Sequence, residues 1–137
     1  MQTDKYTRWI LAPLLVAAIP AWAANHIVMV GQNIDGAPAN AYNPPTLTIA
    51  AGDTVTFTNN SGGLHNVNST GGPTTFKCSV NCTTNNTPNV GPWSDTVTFS
   101  TAGTVTYQCD THFNLGMLGS ITVQAPTPVK LQSFGVH

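Results

Sequence analysis

Apolar residues alternate with threonine along much of this 137-residue chain, and that period of two leaves little choice of fold. In "TLTIA" (46–50) Leu47 and Ile49 share one face, and in "TVTFTN" (54–59) Val55 and Phe57 do the same. "AGD" (51–53) separates the two runs as a turn, and "SGG" (61–63) stops the second. The pattern returns in "TVTFS" (96–100), the turn "TAG", "TVTYQC" (104–109) and "SITVQ" (120–124), and "HIVMV" (26–30) supplies an earlier run. Side chains on a strand point to alternate faces, and branched Cβ atoms suit a pleated, half-buried surface. After Ala23 no stretch carries the 3.6-residue period of an amphipathic helix. Short strands of this number and spacing predict an antiparallel β-sandwich of about seven to eight strands.

The first residues follow a different rule. Lys5 and Arg8 precede an apolar run from Trp9 to Ile19, which ends in Pro20 and Ala21-Trp22-Ala23. A basic start, a short apolar core and a small-x-small end mark a signal peptide, and the run is short for a membrane span. Residues 1–23 are therefore expected to be removed, which gives a periplasmic or secreted protein with no membrane span; a retained anchor is the alternative. Residues 24–124 are expected to form one domain. "APTP" (125–128) then opens a linker and tail, 125–137. Beyond Ala23 the charged side chains are Asp35, Asp53, Lys77, Asp95, Asp110 and Lys130. That leaves no basic stripe for nucleic acid and no basic face for anionic lipid. Trp93, Phe76, Phe99 and Met29 read as packing residues, and His26 and His137 are not assigned as ligands.

Three cysteines remain to be placed. Cys78 and Cys82 flank "SVN" in a polar stretch, and in an oxidising compartment they form the natural disulfide. Cys109 is left over at the end of an apolar strand, and "YQCDTHFNLGM" (107–117) adds His112 and Met117 close behind it. His65, in "GGLHNVN" at the far end of another strand, is the simplest fourth member. Two imidazoles and a thiolate in a trigonal plane, with a weak axial thioether, suit copper and one-electron chemistry. A structural zinc site more typically pairs its Cys and His ligands.

The chain resembles the small type 1 (blue) copper proteins, the cupredoxins, and within them the plastocyanin and pseudoazurin group. The resemblance runs from about Asn43 to Val123. It is carried by "YNPPTLTIAAGDTVTFTNNSGGLHNV", "WSDTVTFSTAGTVTYQC" and the Cys-x2-His-x4-Met spacing. It implies one copper ion held by His65, Cys109, His112 and Met117, a Greek-key sandwich, and single electrons carried between larger redox proteins. Those partners are expected to dock transiently at the His112 edge of a monomer, in a mostly apolar contact. It also implies that Asn66 ties its strand to the cysteine loop. Two positions depart from the family pattern. Asp110-Thr111 stand where Pro or Gly is common, and Gln108 stands where plastocyanins place an aromatic residue. A copper-delivery protein using the same site is the competing function. A copper enzyme would need a second metal site with more histidines, and a metal-free adhesive sandwich would leave all four residues unexplained.

Overall fold

The computed structural model describes residues 22–83 and 86–128. Most of the expected leader and most of the tail, with Lys130 and His137, lie outside the described residues. The strands are β1 (Asn25–Gln32), β2 (Pro38–Asn43), β3 (Thr46–Ala50), β4 (Thr54–Asn59), β5 (Leu64–His65), β6 (Val67–Gly71), β7 (Lys77–Cys78), β8 (Asn89–Val90), β9 (Trp93–Thr98), β10 (Gly103–Gln108) and β11 (Leu118–Gln124). One 3₁₀ turn, Phe113–Leu115, interrupts them. No helix among the described residues is long and apolar enough to cross a membrane.

One sheet has the order β2-β1-β4-β9, a second has β3-β11-β10-β6-β7, and β5 and β8 form a small ribbon. The sandwich expected from the sequence is present, but it is mixed rather than purely antiparallel. β1 runs parallel to β4, and β3 runs parallel to β11. Alternation along a strand dictates which face is buried. It says nothing about the direction of the neighbour, so these two pairings were not legible.

The alternating positions face one another across the two layers. Val28, Val30, Val55, Phe57 and Val97 come from one sheet, and Ile49, Val67, Val105, Tyr107, Ile121 and Val123 from the other. Phe57 stacks on Phe76 at 5.6 Å and meets Tyr107 edge-on at 5.5 Å. Each fully buried ring of this kind contributes about 1.5–3 kcal/mol of burial, with roughly 0.5–1.5 kcal/mol more from the aromatic geometry. Trp93, Phe76 and Phe99 are buried as expected. Met29 is not in the core. It alternates with the fully buried Val28 and Val30 and is only partly covered on the opposite face of β1. The threonines of the outer faces pair across strands instead of facing charge, as in Thr56 with Thr96 at 2.8 Å and Thr58 with Ser94 at 2.9 Å.

Strand register brings the two halves of the site together. β10 pairs antiparallel with β6, and Gln108 lies opposite Asn68. The end of β10 therefore delivers Cys109 beside residues 65–67. Cys78 bonds Cys82 in a disulfide, next to Val67 in the sheet, while Cys109 is a free, buried thiol.

Candidate metal centre

The turn after β10 is closed by its own backbone. The Cys109 N–H donates to the Met117 carbonyl at 3.2 Å, and the Met117 N–H donates to the His112 carbonyl at 3.2 Å. The His112 N–H returns to the Cys109 carbonyl at 3.2 Å. Gly116 reverses the chain with φ 86°, a conformation that costs a residue with a Cβ about 1–2 kcal/mol. These bonds fix the starting points of Cys109, His112 and Met117 before any metal is considered. Cys109 and Met117 are fully buried, whereas His112 is half-buried at the rim.

His65 arrives from β5. Its Nδ1 lies 3.1 Å from the Nδ1 of His112 and 3.8 Å from the Cys109 sulfur, and the His112 Nδ1 is 3.6 Å from that sulfur. A first-row metal bonded at about 2.0–2.3 Å to two nitrogens and a sulfur in one plane needs edges of roughly 3.5–3.8 Å. The triangle is close to that size, with its nitrogen–nitrogen edge a little tight. Two glycines set the ring's position from behind. A Cβ on Gly31 or on Gly63 would fall 2.5 Å from the His65 Nε2. Burial, and secondarily the charge of His112, lowers the His65 pKa to about 4, so the imidazole is neutral near pH 7 and available as a ligand.

Asn66 and Asp110 hold the segments of His65 and Cys109 together. The Asn66 side chain accepts the Asp110 backbone N–H at 2.8 Å and donates to the Asp110 carboxylate at 2.9 Å. Asn68 donates to the same carboxylate at 2.8 Å, and Lys77 forms an ion pair with it at 2.8 Å. Tyr42 donates its hydroxyl to the Asn66 carbonyl at 2.7 Å. The family-typical Pro or Gly after the cysteine would stiffen the loop through its backbone. Here Asp110 does so through three side-chain partners. Asn68, Lys77, Tyr42 and Gly31 carried no site signal in the sequence, because each acts through a neighbour that only the pairing of β6, β7 and β1 brings near.

Residues 29–124 match the family described as copper binding proteins, plastocyanin/azurin family. The chain belongs to that family. It is 38% identical to a plastocyanin from Prochlorothrix hollandica over 112 residues, covering 81% of this chain and 82% of that protein. A chloroplastic plastocyanin from Tetradesmus obliquus is 36% identical, over 78% of this chain and 71% of its own length. Among solved structures, a pseudoazurin from Sinorhizobium superposes with a TM-score of 0.56 at 29% identity, covering 75% of this chain and 76% of that one. The oxidised plastocyanin of Dryopteris crassirhizoma gives 0.54 at 27% identity, over 72% and 99%. The family's cofactor is copper. A cysteine sulfur with two imidazoles fits copper, since a thiolate is a soft donor suited to Cu(I) and imidazole suits Cu(II).

Proposed function

We propose that His65, Cys109, His112 and Met117 hold one copper ion and that the chain carries single electrons between larger redox proteins. The observation behind this reading is the triangle of His65 Nδ1, His112 Nδ1 and Cys109 Sγ, with edges of 3.1–3.8 Å, set in a loop that is already hydrogen-bonded. Copper held there would supply a one-electron Cu(I)/Cu(II) couple. The chain's own part is to keep the ligands still while it does so. The Asn66–Asp110 tie, the Met117–Cys109 backbone bond and the glycines behind His65 all oppose rearrangement of the donors, which lowers the cost of moving an electron. Met117, fully buried beside Cys109 in the same turn, would supply a thioether donor. The protein acts as a carrier and not as a catalyst.

Electrons cross at the rim ligand, His112. Around it the exposed apolar residues are chain neighbours of the ligands themselves: Leu64 before His65, Phe113 after His112 and Leu118 after Met117, with Leu115 between. Val90 pairs with Leu64 across the small ribbon and extends this surface. Transient redox contacts are small, and an apolar face excludes water between the centres. In this reading the leader 1–23 directs export to the periplasm or beyond, residues 24–124 form the copper domain of a monomer, and 125–137 are a tail.

The test is the visible spectrum of the Cu(II)-loaded protein. An intense thiolate-to-copper charge-transfer band is expected. Cys109→Ser should abolish it, and Cys78→Ser should leave it in place. A colourless Cu(II) form of the wild type refutes the assignment.

A further inference from the structure

A second group of metal-binding atoms converges at the amino-terminal end of β1. Asp53 is only 7% exposed, and both of its carboxylate oxygens are engaged. Oδ1 accepts the Ala24 backbone N–H at 2.8 Å, while Oδ2 accepts the Ala50 N–H at 3.1 Å and lies 2.9 Å from the His26 Nε2. A carboxylate can only accept, so in the uncharged form of the His26 ring the proton lies on Nε2 and the lone pair on Nδ1. The Nδ1 has no hydrogen-bond partner among the described residues.

The leader cut after Ala23, part of the reading above, changes what these atoms are. It turns the Ala24 nitrogen from an amide into a primary amine and makes the mature chain begin Ala24-Asn25-His26. A free amine at the first residue, an amide N–H at the second and third, and an imidazole Nδ1 at the third can close three fused chelate rings on one ion. Four nitrogens in a plane suit Cu(II) or Ni(II). We propose that the processed amino terminus, Ala24-Asn25-His26 backed by Asp53, is a second metal site that takes Cu(II) or Ni(II) as a square-planar four-nitrogen chelate.

The proton balance is definite. Each ion displaces the two amide protons of Asn25 and His26, the ammonium proton of Ala24 where the amine is protonated, and the Nδ1 proton of His26 where the ring is charged. Asp53 stays on the Nε2–H, fixing the tautomer and raising the basicity of the ring, as carboxylates do behind many metal-bound histidines. The structural cost is local. The Ala24 carbonyl accepts the Thr54 N–H at 2.9 Å, and the β1/β4 ladder begins at Asn25. Chelation takes up the amide nitrogens of Asn25 and His26, so it disturbs the Asn25–Thr54 and His26–Val55 pairs and leaves the pairing from Ile27 onward. The amidate donors favour Cu(II) over Cu(I), so this site holds metal and does not pass electrons. It stands apart from the first centre. Gly31, which packs on His65, is five residues along β1 from His26, or roughly 16 Å.

The experiment has two arms. The mass of the exported protein identifies its first residue. Separately, the chain starting at Ala24, with its copper centre filled and reduced, is titrated with Ni(II), and the absorbance of square-planar nickel and the protons released are followed. One equivalent should bind. Insertion of a single Gly before Ala24, which leaves His26 and Asp53 in place, should abolish the nickel band, as should His26→Ala. Asp53→Asn should weaken binding about 10- to 100-fold. An exported chain starting at another residue overturns both the leader reading and the site. A chain starting at Ala24 that gives no nickel band, or an equal band after the Gly insertion, overturns the site alone. The charge-transfer band of the first centre reports on the copper reading independently.

Discussion

Asn66→Ala should cost far more than the loss of one polar side chain. Asn66 is fully buried, and its amide bonds both the carboxylate and the backbone N–H of Asp110. Truncation removes a hydrogen bond to a charged group, worth about 1.5–3 kcal/mol, and strands the Asp110 N–H without an acceptor for about 1–3 kcal/mol more. The total is about 3–5 kcal/mol, a drop of at least roughly 1 M in the urea midpoint. Asn68→Ala is the control. It removes one bond to the same carboxylate from a partly exposed position and should cost about 1 kcal/mol. Unfolding of the copper-free proteins isolates this effect from metal binding. In a double-mutant cycle with Asp110→Ala, the Asn66 and Asp110 side chains should couple by about 1–2 kcal/mol, because the backbone bond survives in the Asp110 variant. Equal costs for Asn66→Ala and Asn68→Ala, or a coupling near zero, would show that the tie between the two ligand segments is not where the structure places it.

Gly31→Ala should loosen the copper centre from outside it. The new Cβ meets the His65 ring, and a φ of 76° is unfavourable for alanine, so a loss of roughly 2–4 kcal/mol and a shifted charge-transfer band are expected in denaturation and visible spectra. Leu115→Asp should slow electron transfer with a protein partner strongly, while the wild-type rate should change little with salt; a steep salt dependence with an indifferent variant places docking elsewhere. Asp95 has a carboxylate oxygen buried without a partner, and burial raises its pKa above the ordinary 3.8. The folded state thus binds this proton more tightly than the unfolded chain, and the penalty of ionisation is complete above the folded pKa and absent below the unfolded one. Asp95→Asn should therefore raise the urea midpoint near pH 7 and leave it unchanged near pH 3.

What the sequence revealed follows from what each signal encodes. The runs at Thr46–Ala50 and Thr54–Asn59 became strands with the expected buried faces, because alternation reports burial directly. β2 gave no such signal. "PANAYN" lacks β-branched residues, and its strand conformation comes from pairing with β1. The Cys-x2-His-x4-Met spacing is local, so the turn that places Cys109 and His112 together could be read from a single segment. Asp110 looked like a departure from the family pattern, and its partners Asn68 and Lys77 become neighbours only through the pairing of β6 with β7. Asp53 read as a turn residue. Its hold on Ala24 and His26 depends on the parallel pairing of β1 with β4, a direction that periodicity does not carry.

The pairing of β3 with β11 also has a temporal consequence. β11 is the last of the described strands to leave the ribosome, and it flanks the turn of Cys109, His112 and Met117 on one side while β10 flanks it on the other. The backbone bond between Cys109 and Met117 is local to that turn, whereas His65 waits for partners 44 residues downstream. Chains dominated by such distant pairings fold slowly, over milliseconds to seconds. The triangle of His65, Cys109 and His112 is therefore completed only when these distant segments have paired, so a metal that needs all three meets a folded pocket instead of a nascent peptide.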